Sequence, residues 1–366
     1  MNQDLKSLLI LNRLPGFGVQ TLKTQLEISA TPGAVLRALK EGGNAIWRDE
    51  IERMLDAREA EKEFEQCSQI GVQILGYGLA GYPKSLLNIY DPPLVLYVSG
   101  DLPPEDVFCF AIVGTREPSP YGIETTRRFA SVLASAGITI VSGFARGIDS
   151  EAHRGALAAQ GKTLAVLGCG LDVIYPAENK ALCQQIREQG ALVSEYPLGT
   201  PPLAPNFPRR NRLISGFSMG VLVVEAHEKS GSLITASLAL EQGKEVFAIP
   251  GRIDSLRSKG TNRLIKQGAC LAQTPDDILT ELHFVLEGYL RAVSKPVADE
   301  PLFSQDPVIE ALQLSPLSSE ELTEKMGMEA EKVMSLLTLL EVKGQVVRRQ
   351  DGRYQVSDKK GVKIKI

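Results

Sequence analysis

Residues 108–168, FCFAIVGTREPSPYGIETTRRFASVLASAGITIVSGFARGIDSEAHRGALAAQGKTLAVLG, decide the fold. Three short apolar runs, FCFAIVG, TIVSG and TLAVLG, are separated by amphipathic stretches at 122–136 and 150–160. Apolar runs without polar alternation fit strands buried on both faces, and glycine-ended amphipathic stretches fit helices. The rhythm continues outward through ALVSEY, VLVVEA and EVFAIPG, with helical stretches at 178–189, 207–217 and 232–242. Strands alternating with helices predict an α/β domain built on a doubly wound, mainly parallel sheet.

The flanks have other patterns. In residues 1–70, Leu5, Leu8 and Leu9, then Leu22 and Leu26, recur at helical spacing, and Asp49 to Gln66 is charge-dense around Ile51, Leu55 and Phe64. Leu14-Pro15-Gly16-Phe17-Gly18 followed by VQTLKTQL has the form of a helix-hairpin-helix, whose turn offers backbone N–H groups to phosphate, and also that of a plain αα-hairpin. From Gly71 to Pro104, glycine and proline break any helix and leave short strands and loops, grouped with the α/β part as a domain over 71–290. The polar, proline-rich SKPVADEPLFSQDP marks a linker, placed at 291–306. Residues 307–366 then give three short helices and two strands around Asp351-Gly352, the order of a winged helix. Its third helix carries Glu329, Glu331 and Glu341 against Lys332 and Lys343, so a protein contact or a weak DNA role is expected of it.

Composition bounds the function. A chain of 366 residues leaves room for two or three domains, and 43% hydrophobic with 23% charged residues excludes a disordered or collagen-like chain. Forty basic against 44 acidic residues give a net charge of -4, which excludes a globally basic nucleic-acid binder and leaves local charge open. The five cysteines form no CxxC pair, and the three histidines are isolated, so reduced thiols and no metal or cofactor are expected. No leader pattern opens the chain and no apolar run approaches the ~18 residues of a membrane span, so a cytoplasmic protein without membrane contact is expected.

In an open parallel sheet, ligands bind beyond the carboxyl ends of the strands. There the sequence places Gly114-Thr115-Arg116, Ser142-Gly143-Phe144-Ala145-Arg146-Gly147-Ile148-Asp149, Gly168-Cys169-Gly170 leading to Tyr175-Pro176, Glu225 with Ser230-Gly231-Ser232, and Pro250-Gly251. Glycines there let backbone approach phosphate, or simply make tight βα turns; several such loops along one rim point to an anion site. The dinucleotide fingerprint and the P-loop are both missing, which disfavours NAD and ATP. Phe207-Pro208-Arg209-Arg210-Asn211-Arg212 lies in a stretch, Tyr196 to Val224, without an acidic residue. Three guanidiniums with no local carboxylate imply an external anion, and a second basic stretch runs through Arg252, Arg257, Lys259, Arg263 and Lys266. Guanidinium forks suit phosphate and stack on bases, a combination suited to single-stranded nucleic acid. Asp149, Glu151 and Glu225 are candidate acid–base groups and Ser142 or Ser230 candidate nucleophiles, but no partner spacing supports either role, and His153 reads as a structural histidine.

Taken together, Gly114-Thr115-Arg116, Ser119-x-Tyr121-Gly122, the Ser142–Asp149 loop, Ala152-His153, Tyr175-Pro176, FPRRNRLISG, Glu225, SGSLITA, and Pro250-Gly251 through Gly260-x-Asn262 to Gly268-Ala269 resemble the DNA processing protein A (DprA/Smf) family over about 70–285. The resemblance implies an extended Rossmann-like domain, flanked by a helix-hairpin-helix or sterile-alpha-motif-like N-terminal domain and a C-terminal winged helix. It further implies a non-enzymatic protein that binds single-stranded DNA, forms a homodimer and helps load the RecA recombinase in natural transformation. By motif, Arg116, Ser142, Gly143, Gly147, Lys180, Arg209, Arg210, Asn211 and Arg212 are the implied DNA contacts. The alternative is a nucleotide-processing hydrolase similar to the lysine-decarboxylase-like phosphoribohydrolases. Their PGGxGTxxE loop is replaced here by Ser230-Gly231-Ser232-Leu233-Ile234-Thr235-Ala236, without the paired glycines or the catalytic glutamate.

Overall fold

The computed structural model describes residues 1–104 and 108–282 and, toward the C-terminus, 308, 311–312, 315–328, 330–342, 346–349 and 351–356. Helices α1 (Gln3–Leu11), α2 (Val19–Ser29), α3 (Pro32–Gly42), α4 (Ala45–Asp56) and α5 (Glu59–Gln69) open the chain. Strand β1 (Val72–Gly76), the single-turn α6 (Lys84–Leu87) and β2 (Val95–Gly100) follow. The alternating part runs β3 (Cys109–Val113), α7 (Pro120–Ser135), β4 (Thr139–Ser142), α8 (Ile148–Ala158), β5 (Thr163–Leu167), α9 (Lys180–Gln189) and β6 (Ala191–Ser194). It continues with α10 (Asn206–Phe217), β7 (Gly220–Val223), α11 (Gly231–Glu241), β8 (Glu245–Ala248), α12 (Lys259–Lys266) and β9 (Cys270–Leu271).

Among the described residues these strands form one nine-stranded sheet in the order β1-β2-β6-β5-β4-β3-β7-β8-β9. From β6 to β9 every neighbour is parallel, while β2 pairs antiparallel with both β6 and β1. The segment read as short strands and loops thus supplies an antiparallel edge. The chain runs outward from β3 through β4 and β5 to β6, then crosses to β7, so the sheet reverses direction between β3 and β7. Crevices at such reversals, outside the strand carboxyl ends, are where ligands bind.

Alternation along β5 explains the two cores. Leu164 and Val166 pack with α10, α11 and α12 on one face, whereas Ala165 and Leu167 pack with α9 and the N-terminal helices on the other. The N-terminal hairpin turns at Gly16, whose φ of 70° favours glycine, and Trp47 Nε1 donates to Pro15 O at 3.0 Å. Met1–Gln273 form one compact unit and Thr274–Ile366 a second. The second unit holds helices Ser319–Met326 and Ala330–Val342, an antiparallel pair of strands at Val346–Arg348 and Tyr354–Val356, and a core that includes Leu322, Val333, Leu337 and Tyr354. Ser318 and Glu321 cap the first of these helices reciprocally. The linker assigned to 291–306, together with Glu329, Lys343 and the Glu331 side chain, lies outside the described residues. No described helix is long and apolar enough to cross a membrane.

His153 on α8 is fully buried, its Nδ1 2.7 Å from Thr163 Oγ1, and burial pushes its pKa down to about 3. The unfolded chain takes up that proton below about 6.5 and the native protein only near 3, so the stability contributed above pH 6.5 is lost as pH falls through that interval. Urea midpoints measured between pH 7 and 4 are expected to fall less steeply in His153→Gln than in the wild type. The histidine contributes at most ~1.4 kcal/mol per pH unit.

Candidate nucleic-acid interface

Beyond the carboxyl ends of β3, β4, β5 and β7 the loops enclose a cleft of about 680 Å³. Gly114-Thr115-Arg116 and Ala145 line it from the β3 and β4 loops, Phe207 and Arg210 from α10, and His227, Lys229 to Ser232, Ile234 and Thr235 from the β7 loop and α11. A narrower chamber opens at its side, walled by Arg116, Gly143, Gly168, Tyr175 and Phe207. The Phe207 ring forms its floor. Tyr175 lies 5.7 Å away at a 46° tilt, and the exposed Arg116 guanidinium sits 5.5 Å over the Phe207 ring. A Cβ on Gly168 would come within 3.0 Å of that ring, so glycine admits the aromatic side chain there.

Arg210 holds this floor from behind. Buried at 3% exposure, it donates through Nη1 to Gly143 O at 2.6 Å and to Val166 O, and its guanidinium lies 6.0 Å from the Phe207 ring. Asp149 is buried beside it, and a Cβ on Gly143 would come within 2.5 Å of Asp149 Oδ2 and 2.8 Å of Arg210 Nη2. Burial raises the Asp149 pKa although Arg210 draws it down, and burial lowers that of Arg210 to about 10, which keeps the guanidinium charged at neutral pH.

The expectation that all three arginines of α10 require an external anion is corrected here. Arg212 grips Glu195 with both forks, Nη1 to Oε1 at 2.6 Å and Nη2 to Oε2 at 2.8 Å, and its Nε donates to Asp91 O at 2.8 Å. Glu195 sits just outside the acid-free stretch, and Asp91 arrives from a distant loop, so local sequence concealed both partners. Only Arg209, with a side chain 62% exposed and its Nε 3.5 Å from Glu195, faces solvent. Asn211 is buried, accepts from Arg210 Nε at 3.3 Å and donates to Gly231 O at 3.3 Å, which ties α10 to the α11 loop. Ser142 is likewise turned inward, donating to Ile112 O at 2.6 Å. Gly147 has a φ of 74°, and a Cβ there would strike Thr115 O at 2.5 Å, so it permits the β4 and β3 loops to touch. Lys180 is exposed at the start of α9. The Pro250-Gly251 turn does not line the cleft; Gly251 exchanges hydrogen bonds with the Asn262 side chain.

Sequence reasoning passed over the Tyr175–Phe207 pair as a surface for a flat ligand. The signal was present, since both aromatics stand in glycine- and proline-rich segments that follow strands.

The acid–base candidates are engaged in structure. Glu225 accepts from Ser119 N at 2.8 Å and Ser119 Oγ at 2.6 Å, pinning the start of α7, while its own carbonyl accepts from Thr115 N at 2.7 Å. Glu151 pairs with Arg127 at 2.5 Å and Arg154 at 2.6 Å. Ser230 caps α11. Among the described residues, no cluster of His, Cys, Asp and Glu is placed to hold a metal ion.

The family model of the DNA recombination-mediator protein A covers residues 73–283, which include the whole lining of this cleft. The chain belongs to that family. A second family model, the DprA winged helix domain, matches residues 294–352. Protein Smf of Escherichia coli is 54% identical over 206 residues, covering 56% of this chain and 55% of that protein, so the chain matches little more than half the length of this relative. The solved structure of DNA processing protein A from Streptococcus pneumoniae superposes with a TM-score of 0.67 at 34% identity, covering 77% of this chain and 98% of the other. The Helicobacter pylori protein, solved to show its single-stranded DNA binding mode, gives a TM-score of 0.52 at 35% identity, covering 58% and 95%. The extended Rossmann-like fold of the family is therefore this chain's fold.

Glu225→Ala is expected to lower the free energy of unfolding by roughly 1–3 kcal/mol, because Ser119 N–H and hydroxyl lose their acceptor. Chemical denaturation measures it, and an unchanged midpoint would show the carboxylate to be structurally idle.

Proposed function

We propose that the chain binds single-stranded DNA in the cleft, protects incoming strands and helps load the RecA recombinase during natural transformation or recombination. One observation carries this reading: an aromatic floor, Phe207, is flanked by Tyr175 and overlain by the exposed guanidinium of Arg116 at the strand carboxyl ends. A flat ring beside a free cation accepts a base on its face and a phosphate at its edge, whatever the base. The family membership and the single-stranded DNA binding of the Helicobacter pylori relative support it.

In this reading Arg116, Arg209 and Lys180 meet phosphates from the solvent side, and Gly143 lets the strand approach the chamber. Ser142, Gly147, Arg210, Asn211 and Arg212 shape the loops from within. The protein acts as a cytoplasmic homodimer and does no chemistry on the strand. Its working parts are a helical segment over 1–70, the DNA-binding domain over 71–290, and the winged helix over 307–366 reached through the 291–306 linker.

Anisotropy titration of an unstructured oligothymidine across a salt series tests the proposal. Phe207→Ala is expected to weaken binding by ~1–3 kcal/mol, the loss of one stacked base. Arg116→Ala should weaken it and reduce the log–log salt slope by about 0.7. Affinity that is independent of salt, or untouched by both substitutions, would remove the basis for the reading, and release of free base from nucleoside monophosphates would favour a hydrolase instead.

A further inference from the structure

A carboxylate stands at the rim of the aromatic chamber, among groups that suit an anion. Tyr175-Pro176 leads into a single 3₁₀ turn, Ala177–Asn179, and then to Lys180, so in sequence Glu178 lies between a chamber aromatic and an exposed lysine. Its partner is Arg146, a second arginine in the chamber wall. The pair is bidentate: Arg146 Nε donates to Glu178 Oε1, and Arg146 Nη2 donates to Glu178 Oε2 at 3.1 Å. The hydrogen bonds from Arg146 hold the Glu178 carboxyl below its ordinary pKa, so both groups are charged at neutral pH.

The backbones that carry this pair are fixed to each other. Buried Asn179 donates through Nδ2 to Phe144 O at 3.1 Å and to Ser150 Oγ at 2.8 Å, and Ile148 N donates to Thr115 O at 3.1 Å, which ties the chain down on both sides of Arg146. The side chains, by contrast, are open, Arg146 at 58% exposure and Glu178 at 52%. An ion pair so exposed contributes little in water and weakens with salt. The fork that holds two carboxylate oxygens also fits two oxygens of a phosphate. An incoming phosphate therefore takes the place of Glu178 by turning side chains alone, with no loop to move.

We propose that Arg146 is a further phosphate-binding residue of the chamber and that Glu178 masks it, a built-in counterion that the strand displaces. The assignment of that phosphate to a DNA strand rests on the single-strand reading above. In the free protein the pair carries no net charge, so a phosphate that exchanges with Glu178 releases little counterion. Without the carboxylate, the same phosphate meets a bare guanidinium. Glu178 thus lowers both the affinity of the rim and its dependence on salt. A free phosphate gains only the exchange, whereas a strand also gains a base on Phe207, so the mask favours the polymer over small anions.

The full chain, Glu178→Gln, Arg146→Ala and the double variant are titrated with oligothymidine across a salt series, with Arg116→Ala alongside. Both side chains are open, so the substitutions leave the fold intact, which thermal melts check. Glu178→Gln is expected to bind roughly fivefold more tightly near ~0.1 M salt and equally near ~1 M, since one more neutralised phosphate steepens the log–log slope by about 0.7. That gain is expected to vanish when Arg146→Ala is added. Unchanged or weaker binding by Glu178→Gln overturns the mask. A gain that survives Arg146→Ala also overturns it, because the carboxylate then acts by general repulsion. In either case, weaker binding by Arg116→Ala leaves the single-strand reading standing. If no variant binds the oligonucleotide, that reading fails and inorganic tripolyphosphate decides the masked site by itself. A rise in Tm that is larger in Glu178→Gln than in the wild type and absent from the double variant supports the site, and equal responses overturn it.

Discussion

A guanidinium sealed at the strand ends sets the geometry of this cleft. Arg210 reaches from α10 beneath the Phe207 ring and donates to carbonyls at the ends of β4 and β5, with the buried Asp149 beside it around Gly143. The aromatic floor, the β4 loop and the start of α8 are thereby fixed to one another. Substitution at Arg210 or Asp149 would disturb the whole rim at once.

The fold was legible because a parallel sheet covered on both faces writes itself as uninterrupted apolar runs. FCFAIVG, TIVSG and TLAVLG each contain a strand, at Cys109–Val113, Thr139–Ser142 and Thr163–Leu167. The antiparallel edge was harder to read. Val95–Gly100 pairs with a strand far along the chain, and no local pattern announces such a partner. The site divides in the same way. Arg116 was legible as part of a family motif, and Arg209 as one of three arginines in an acid-free stretch. The pairing of Arg212 was hidden because Glu195 lies 17 residues away and Asp91 lies 121 away. Chain proximity foretells ion pairs within a helix and fails for those that join elements.

A similar lesson concerns the carboxylates. Read as sequence, Asp149, Glu151 and Glu225 sit where an α/β enzyme keeps its acids and bases. Read as structure, each is engaged: Asp149 is buried and accepts from Ala145 N, Glu151 pairs with one arginine on α7 and another on its own helix, and Glu225 holds the first turn of α7. The same strand ends that serve chemistry in other proteins here serve to brace loops.

That bracing shapes recognition. Glu225 fastens the β3 loop at both ends, by its carbonyl at Thr115 and by its carboxylate at Ser119, and Arg116 lies between the two anchors. A loop so clamped has little backbone freedom left to surrender to any ligand. Under the proposed single-strand reading, much of the ordering entropy of binding has already been spent in folding, and a flexible polymer that can bend to an unyielding rim is favoured over a stiff one.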